Sequence, residues 1–333
     1  MTRLLIKKYI HESYPLFLAC AILLTVFCMG RVWIVCQFDL QQFEPFLQQL
    51  KPFEKFMPVP LEQLLTHSGA IAMTLNEPLL TLSILLWCVA RGSDVVSGEL
   101  SRGTMEMLLA HPISRCRLLL THAAMTTLGL AGLCGVIWLA LYSAIQINTV
   151  RETVAAEMQL NIPFLPLQIP ITLGSPEEVA VPLSEKVDAA LYAMPCLNLF
   201  GLGFVILCLS ILCSSIDRYR WRTIGVVLGI YISQFLLLLL SKATSATELA
   251  GRFTFLSLYQ PDAIVQLARQ DASRAWWLLS PNSRTLEAGA LQASWPFEML
   301  GPAALPLLLL GLGGAMLLAA VQCFERRDLA PPL

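Results

Sequence analysis

Few side chains in this sequence have both the type and the spacing that chemistry requires. The four histidines, His11, His67, His111 and His122, fall on four separate segments without ligand spacing, which argues against a metal centre. There is no His-Glu-x-x-His helix, and no Gly-x-x-x-x-Gly-Lys-Ser/Thr loop that would cradle ATP phosphates, so ATP hydrolysis by this chain alone is not expected. An intramembrane serine hydrolase would need its nucleophile in a Gly-x-Ser-x-Gly-like turn within a span. Ser97-Gly98 lies outside the apolar runs, and His122 is the one histidine inside such a run. Of the ten cysteines, nine lie in or at the edge of apolar runs and Cys116 in a polar loop; no Cys-x-x-Cys pair occurs, so they read as small hydrophobes.

The polar residues inside apolar runs are the next candidates. Glu77, in Asn76-Glu77-Pro78, sits about a third of the way into a run from its outer end, where a carboxylate costs a few kcal/mol unless paired or wetted. It is expected to face a cavity or the bundle interior. The alternative, a helix starting later with Asn76 as its cap, leaves residues 79 to 90, too short to cross a bilayer. Asn198, His122 and Gln234 can link helices by hydrogen bonds or line a path, and linking is the commoner use.

The most informative segment runs from Arg91 to Arg115, RGSDVVSGELSRGTMEMLLAHPISR. Gly103 permits a turn, Thr104 can cap a following helix, and His111 before Pro112 is biased out of helical geometry. A helix of about two turns over 104–110 is therefore predicted, with Met105, Leu108 and Leu109 on one face. That stripe must be buried, either against the membrane surface or in a partner's groove.

These residues need elements to hold them, and composition identifies the elements. The 333 residues are 56% hydrophobic and 14% charged, with mean hydropathy +0.66, against roughly 25% charged residues in a soluble domain. The excess recurs in six windows of membrane-spanning length, 14–36, 69–90, 118–146, 190–213, 223–241 and 302–324. The expected fold is thus all-α: a polytopic membrane protein forming a single domain of six transmembrane helices. The first run begins like a signal peptide, but its length and the lack of a small-residue cleavage pattern favour a retained span. A net charge of -1 suggests no nucleic-acid partner.

The distribution of charge sets the orientation. The N-terminus, 91–117, 214–222 and the C-terminal tail together hold twelve Lys and Arg. The segments 37–68, 147–189 and 242–301, more than twice as long, hold nine. By the positive-inside rule the first set, with both termini, is expected in the cytoplasm. Trp33, Trp87 and Trp221 stand near span ends as headgroup-level anchors, and Arg31 can snorkel. Among the outer segments, 37–68 is rich in Gln and Pro, and 147–189, studded with Pro163, Pro166 and Pro170, reads as extended irregular chain. Segment 242–301 keeps its apolar residues, and Pro261-Asp262 starts a plausible helix with Ile264, Leu267 and Ala268 on one face, as one of several short helices at the outer interface. Gly201, Gly203 and the Gly311–Gly314 stretch suit close helix packing.

In this topological setting the 91–115 segment resembles the type-2 ABC exporter permeases, the six-span membrane subunits of ATP-binding cassette transporters. Ser97-Gly98-Glu99, Gly103-Thr104-Met105-Glu106, Leu108-Leu109 and Pro112-Ile113-Ser114-Arg115 follow that family's S-G-E, G-T-x-E, L-L and P-x-S-R pattern after the second span. The basic loop 217–222 and the Phe324-Glu325-Arg326-Arg327 tail are similar too. Leu100 and Ser101 stand where the family commonly has Arg and Glu, and the outer segments are long for it. The resemblance implies a coupling loop that docks on a separate ATPase subunit, which holds the ATP and Mg, while this chain holds no cofactor. Glu99, Arg102, Glu106 and Arg115 would make polar contacts there, and Met105, Leu108 and Leu109 would fill the groove. It also implies a homodimer or a pairing with a related permease, and residence in a bacterial cytoplasmic (inner) membrane. The readings from other classes are a self-sufficient secondary transporter or channel, and a non-transporting membrane scaffold.

Overall fold

A computed structural model describes residues 2–37, 66–110, 114–154, 157–161, 168–172, 177–243, 251, 254–279 and 300–327. Six helical stretches within it are long and apolar enough to cross a membrane: Arg3–Gln37, His67–Gly92, Arg115–Ile147, Ala189–Ile216, Arg220–Ser241 and Ala304–Arg326. Each coincides with one expected window. Most extend a few residues past the apolar run, because the flanking Arg, Lys, Gln and Ser are tolerated in a helix once its backbone ladder is propagating.

In chain order the helices are α1 (Thr2–Gln37), α2 (His67–Ala72), α3 (Pro78–Gly92), α4 (Met105–Leu109), α5 (Arg115–Ile147), α6 (Ala193–Ile216), α7 (Arg220–Ala243), α8 (Pro261–Gln270) and α9 (Ala304–Arg326). The second span is composite. After α2 comes a tighter helical turn, Met73–Asn76, then Glu77 in an extended conformation (ψ 136°), and only then α3, with Pro78 in its first turn. Proline has no N–H to lend to the preceding turn, so the backbone ladder is interrupted there.

The core centres on α6, which α3, α5 and α9 surround. Glycine permits the close approach: a Cβ on Gly203 would lie 2.8 Å from Leu130 of α5, and one on Gly313 would lie 2.6 Å from Phe204 of α6. The glycines expected to serve helix packing at these positions do so within the chain. By contrast α7 buries little, leaving Val226, Ile232, Phe235, Leu236 and Leu240 exposed.

Three expectations need correction. Trp87 is no headgroup anchor: it is fully buried, donates its indole N–H to Thr126 O (3.2 Å) and meets Phe17 edge-on. A tryptophan near a run's end looks the same in sequence whether it faces lipid or a neighbouring helix; Trp33 and Trp221 are exposed. Cys116 lies in the first turn of α5 rather than in a loop. The 147–189 segment is not wholly irregular. Strands β1 (Thr149–Val154) and β4 (Glu177–Pro182) pair antiparallel, as do β2 (Glu157–Asn161) and β3 (Gln168–Thr172), the second pair nested within the first in chain order. The proline-based reading failed because each ladder has only two strands, so a proline such as Pro170 can turn its N–H-less side to an open edge. Most of outer segment 37–68 lies outside the described residues. In 242–301, α8 starts at Pro261 as expected and buries Ile264, Leu267 and Ala268.

Candidate functional site

The start of α1, the 91–110 segment, the 217–220 turn and the end of α9 meet at one end of the bundle, called the basic end below. Residues 91–99 are buried without exception. After α3 the chain widens into a single broader turn, in which Gly98 N donates to Ser93 O (3.2 Å), five residues back, instead of to Asp94 O, four back. Hydroxyls fasten this turn to the bundle. Ser214 Oγ of α6 accepts from Ser97 N (2.9 Å) and Val96 N (3.2 Å) and donates to Ser93 O (3.2 Å). Thr223 of α7 donates to Ser97 Oγ (3.1 Å).

Charges fasten it further. Asp94 is buried among three guanidinium groups, those of Arg102 (2.7 Å), Arg220 (3.3 Å) and Arg91 (3.5 Å). Burial alone would raise its carboxyl. The hydrogen bond from Arg102 and the charges of Arg220, Arg102 and Arg91 outweigh that and hold it below the usual carboxylate range. Glu99, 2% exposed, pairs with Lys8 of α1 (2.8 Å) and Arg102 (3.2 Å) and accepts a short hydrogen bond from Thr104. Glu12 joins the network through Lys8 (3.7 Å) and Arg91 (3.9 Å). Four cations and three carboxylates from α1, the 91–104 segment and α7 thus share one cluster, with Arg91, Asp94 and Glu99 buried at its centre. Removing one member of such a cluster leaves its partners charged and unpaired, a cost of about 3–5 kcal/mol.

This geometry gives each motif position a physical reason. Ser97 bridges α6 and α7, and Gly98 lacks a Cβ because the Asp94 carboxylate occupies that space. Glu99 takes the charge of Lys8. Gly103 has φ +71°, a left-handed conformation that glycine adopts without strain. Thr104 departs from expectation: its side chain does not cap α4 but holds Glu99. The hydroxyl is turned to donate to a charged carboxylate, a stronger bond than it would make by accepting from a neutral backbone N–H.

The other candidate residues are distributed as follows. Met105 is 1% exposed, packed in the chain's own core, so its side chain is not presented outward. Leu108 is partly buried, Glu106 exposed, and Met107 72% exposed. The side chain of Leu109 and the whole of Pro112 lie outside the described residues. Arg102 keeps a partly exposed edge while its fork holds Asp94 and Glu99. Arg115 donates to Arg327 O (2.6 Å), and Arg327 in turn donates to Ser215 O (2.9 Å) and Asp217 O (3.0 Å), which ties the tail to the α6–α7 turn.

At the opposite end, Glu77 lies 3.4 Å from Arg31 of α1, both partly exposed. Asn76 donates a short hydrogen bond to Asp262 of α8. Asn198 is fully buried and links elements as expected, donating to Leu258 O (3.1 Å) and accepting from Gln260 N (3.2 Å). His122 links nothing by hydrogen bonds: it is buried, both ring nitrogens lack a partner, and it meets Tyr9 edge-on at 4.8 Å. Reading the sequence missed Lys8, Glu12, Arg91, Asp94, Ser214, Arg220 and Thr223. The available signal was that acids and bases flank the apolar runs on the same side, and acids buried there need those bases.

The arrangement contains no reactive constellation among the described residues. It can hold a turn rigidly against three spans and present a small exposed surface beyond it. No curated protein matches the sequence, but the model of the ABC-2 family transporter proteins matches residues 13–329, nearly the whole chain. Together with the six spans, that match establishes that the chain belongs to the ABC-2 transporter family and is a multi-pass membrane component of such a transporter.

Proposed function

We propose that this chain is the membrane-spanning subunit of an ABC exporter in a bacterial cytoplasmic membrane, with its basic end in the cytoplasm as the docking surface for a separate ATPase subunit. The observation that carries this reading is the division of labour in residues 91–110. The first part is buried and bolted to α1, α6 and α7, while α4 behind it exposes Glu106 and Met107. Force applied to α4 would pass into three spans through ion pairs and hydroxyl bridges, without a flexible link. ATP and Mg belong to the ATPase; this chain supplies shape and movement. The groove-filling residues are then Met107 and Leu108, with Arg102 and Glu106 as polar contacts and Gly103 as the turn. Glu99, Thr104 and Met105 support them from inside. The apolar faces of α7 and α1 are available for lipid and for a second copy or a related permease.

The test is co-purification with an ABC ATPase subunit from the same genome. The purified chain alone should hydrolyse no ATP, and hydrolysis should be stimulated when the two subunits combine. Met107→Ala with Leu108→Ala should weaken association by about 2 kcal/mol, roughly thirty-fold, without lowering the melting temperature of the permease. Normal recovery and normal stimulated hydrolysis would remove α4 from the docking surface. Hydrolysis by the lone chain, or transport without any ATPase, would favour a self-sufficient transporter.

A further inference from the structure

The second span is two helices joined at Glu77, and the two halves are fastened to different parts of the molecule. The half toward the opposite end is tied to the outer segment and to the start of α6. Arg269 donates to Thr66 Oγ1 (2.9 Å), Tyr192 to Ser68 O (2.9 Å) and Tyr259 to Leu75 O (2.6 Å), and Asn76 donates to Asp262. The other half, α3, is tied to the basic end: Arg220 donates to Ala90 O (3.0 Å), Trp87 to Thr126 O, and the buried turn follows directly. Between them the helical ladder is broken. Glu77 is extended, Pro78 has no N–H, and the tighter turn ends on a weak Glu77 N to Thr74 O contact (3.4 Å). At this point the Arg31–Glu77 ion pair pins the joint to α1.

We infer that Glu77–Pro78 is a hinge, and that the Arg31–Glu77 ion pair is the latch that holds it. On one side of the hinge the outer half-helix moves with α8 as a single piece. On the other, α3 moves with the basic-end turn. An ion pair partly open to water is suited to this role, because each partner can be rehydrated when the pair opens, at far lower cost than separating the buried Asp94 cluster. A movement begun at the basic end is thereby delivered through α3 to a joint that is already bent, and converted into a tilt of the outer piece. The inference rests on the ATPase-coupling reading.

The experiment uses the full chain with its ATPase in nanodiscs, with spin labels placed through a non-natural amino acid so that native cysteines stay. One pair, at His67 and Gln270, lies within the outer piece; the other, at Leu82 and Gln270, spans the hinge. Trapping the ATPase in its ATP-bound state should shift the 82–270 distance distribution and leave the 67–270 distribution unchanged. Glu77→Gln should broaden the 82–270 distribution before ATP is added, and the exchange Arg31→Glu with Glu77→Arg should narrow it again. If both pairs shift together, or neither shifts while hydrolysis proceeds, the hinge is overturned. Lack of broadening in Glu77→Gln, or failure of the exchange to reverse it, would overturn the latch. Failure of the ATPase to associate is read separately by pull-down and would overturn the coupling reading on which the hinge rests.

Discussion

The two ends of the bundle are held by different physics. At the basic end the carboxylates are buried: Asp94 and Glu99 are both nearly inaccessible and share the cations Lys8, Arg91, Arg102 and Arg220, of which Arg91 is buried and the others reach solvent at one edge. At the opposite end the Glu77 carboxylate paired with Arg31 is about a third exposed, and most of the fastening is by neutral donors to backbone carbonyls, from Tyr192, Tyr259 and Asn198. A buried charge cluster tolerates little displacement, because any separation strands charges in a low-dielectric site. Neutral hydrogen bonds strand no charge when they exchange partners, even where the donors are buried, as Tyr192 and Asn198 are. The contrast teaches that displacing the basic-end carboxylates from their partners is costly, whereas at the opposite end the Arg31–Glu77 pair can open at lower cost.

The largest expected effect concerns which end faces which compartment. Cysteines placed at Arg115 and Arg218 should be shielded from an impermeant thiol reagent in intact cells, with labelled peptides resolved by mass spectrometry so that native cysteines do not interfere. A cysteine at Glu178, in β4, should be labelled. The reverse pattern would place the charge cluster on the outside and break the comparison at its root.

Next in size is the difference between the two ion-pair regions. Asp94→Ala should cost about 3–5 kcal/mol, because it leaves three arginines without their shared carboxylate. Glu77→Ala should cost about 1 kcal/mol or less, since that pair is partly solvated. Thermal unfolding of both variants in the same detergent measures the difference. Equal losses would mean that the two ends do not differ in the way described here.

The smallest effect is confined to acid. Because Asp94 has its pKa lowered in the folded protein, its contribution is fully present above the ordinary Asp value of about 4 and is lost as pH falls through the depressed folded value. Stability attributable to Asp94 should therefore be flat from pH 7 to 5 and decline only below about 4. The gap between the native chain and Asp94→Asn should narrow in that range. A gap that narrows between pH 7 and 6 would point to a different group.

Much of the architecture was legible from residue order. A run of about twenty apolar residues has few stable alternatives to a spanning helix in a bilayer, so the six spans follow from composition, and Pro261 marked the start of α8 because its ring favours a first helical turn. The motif residues lie together at the basic end, but which of their side chains face outward was not legible. Met105, Leu108 and Leu109 form a stripe by helical spacing, but spacing does not say what lies next to the stripe. Met105 turned inward, and the exposed Met107 was overlooked.

What the sequence by itself determined is local or statistical: where the chain is apolar long enough to span, where proline and glycine break or turn it, and that basic residues collect at one set of connections. What only the tertiary structure decided is partnership across distance. Glu99 meets Lys8 ninety-one positions away, Ser97 meets Ser214 across 117, and Arg31 reaches Glu77 from a different span. The free energy of a buried charge depends on the groups packed around it rather than on its neighbours in the chain. An exposed loop and a buried plug can therefore share the same local sequence pattern, and the fold alone distinguishes them.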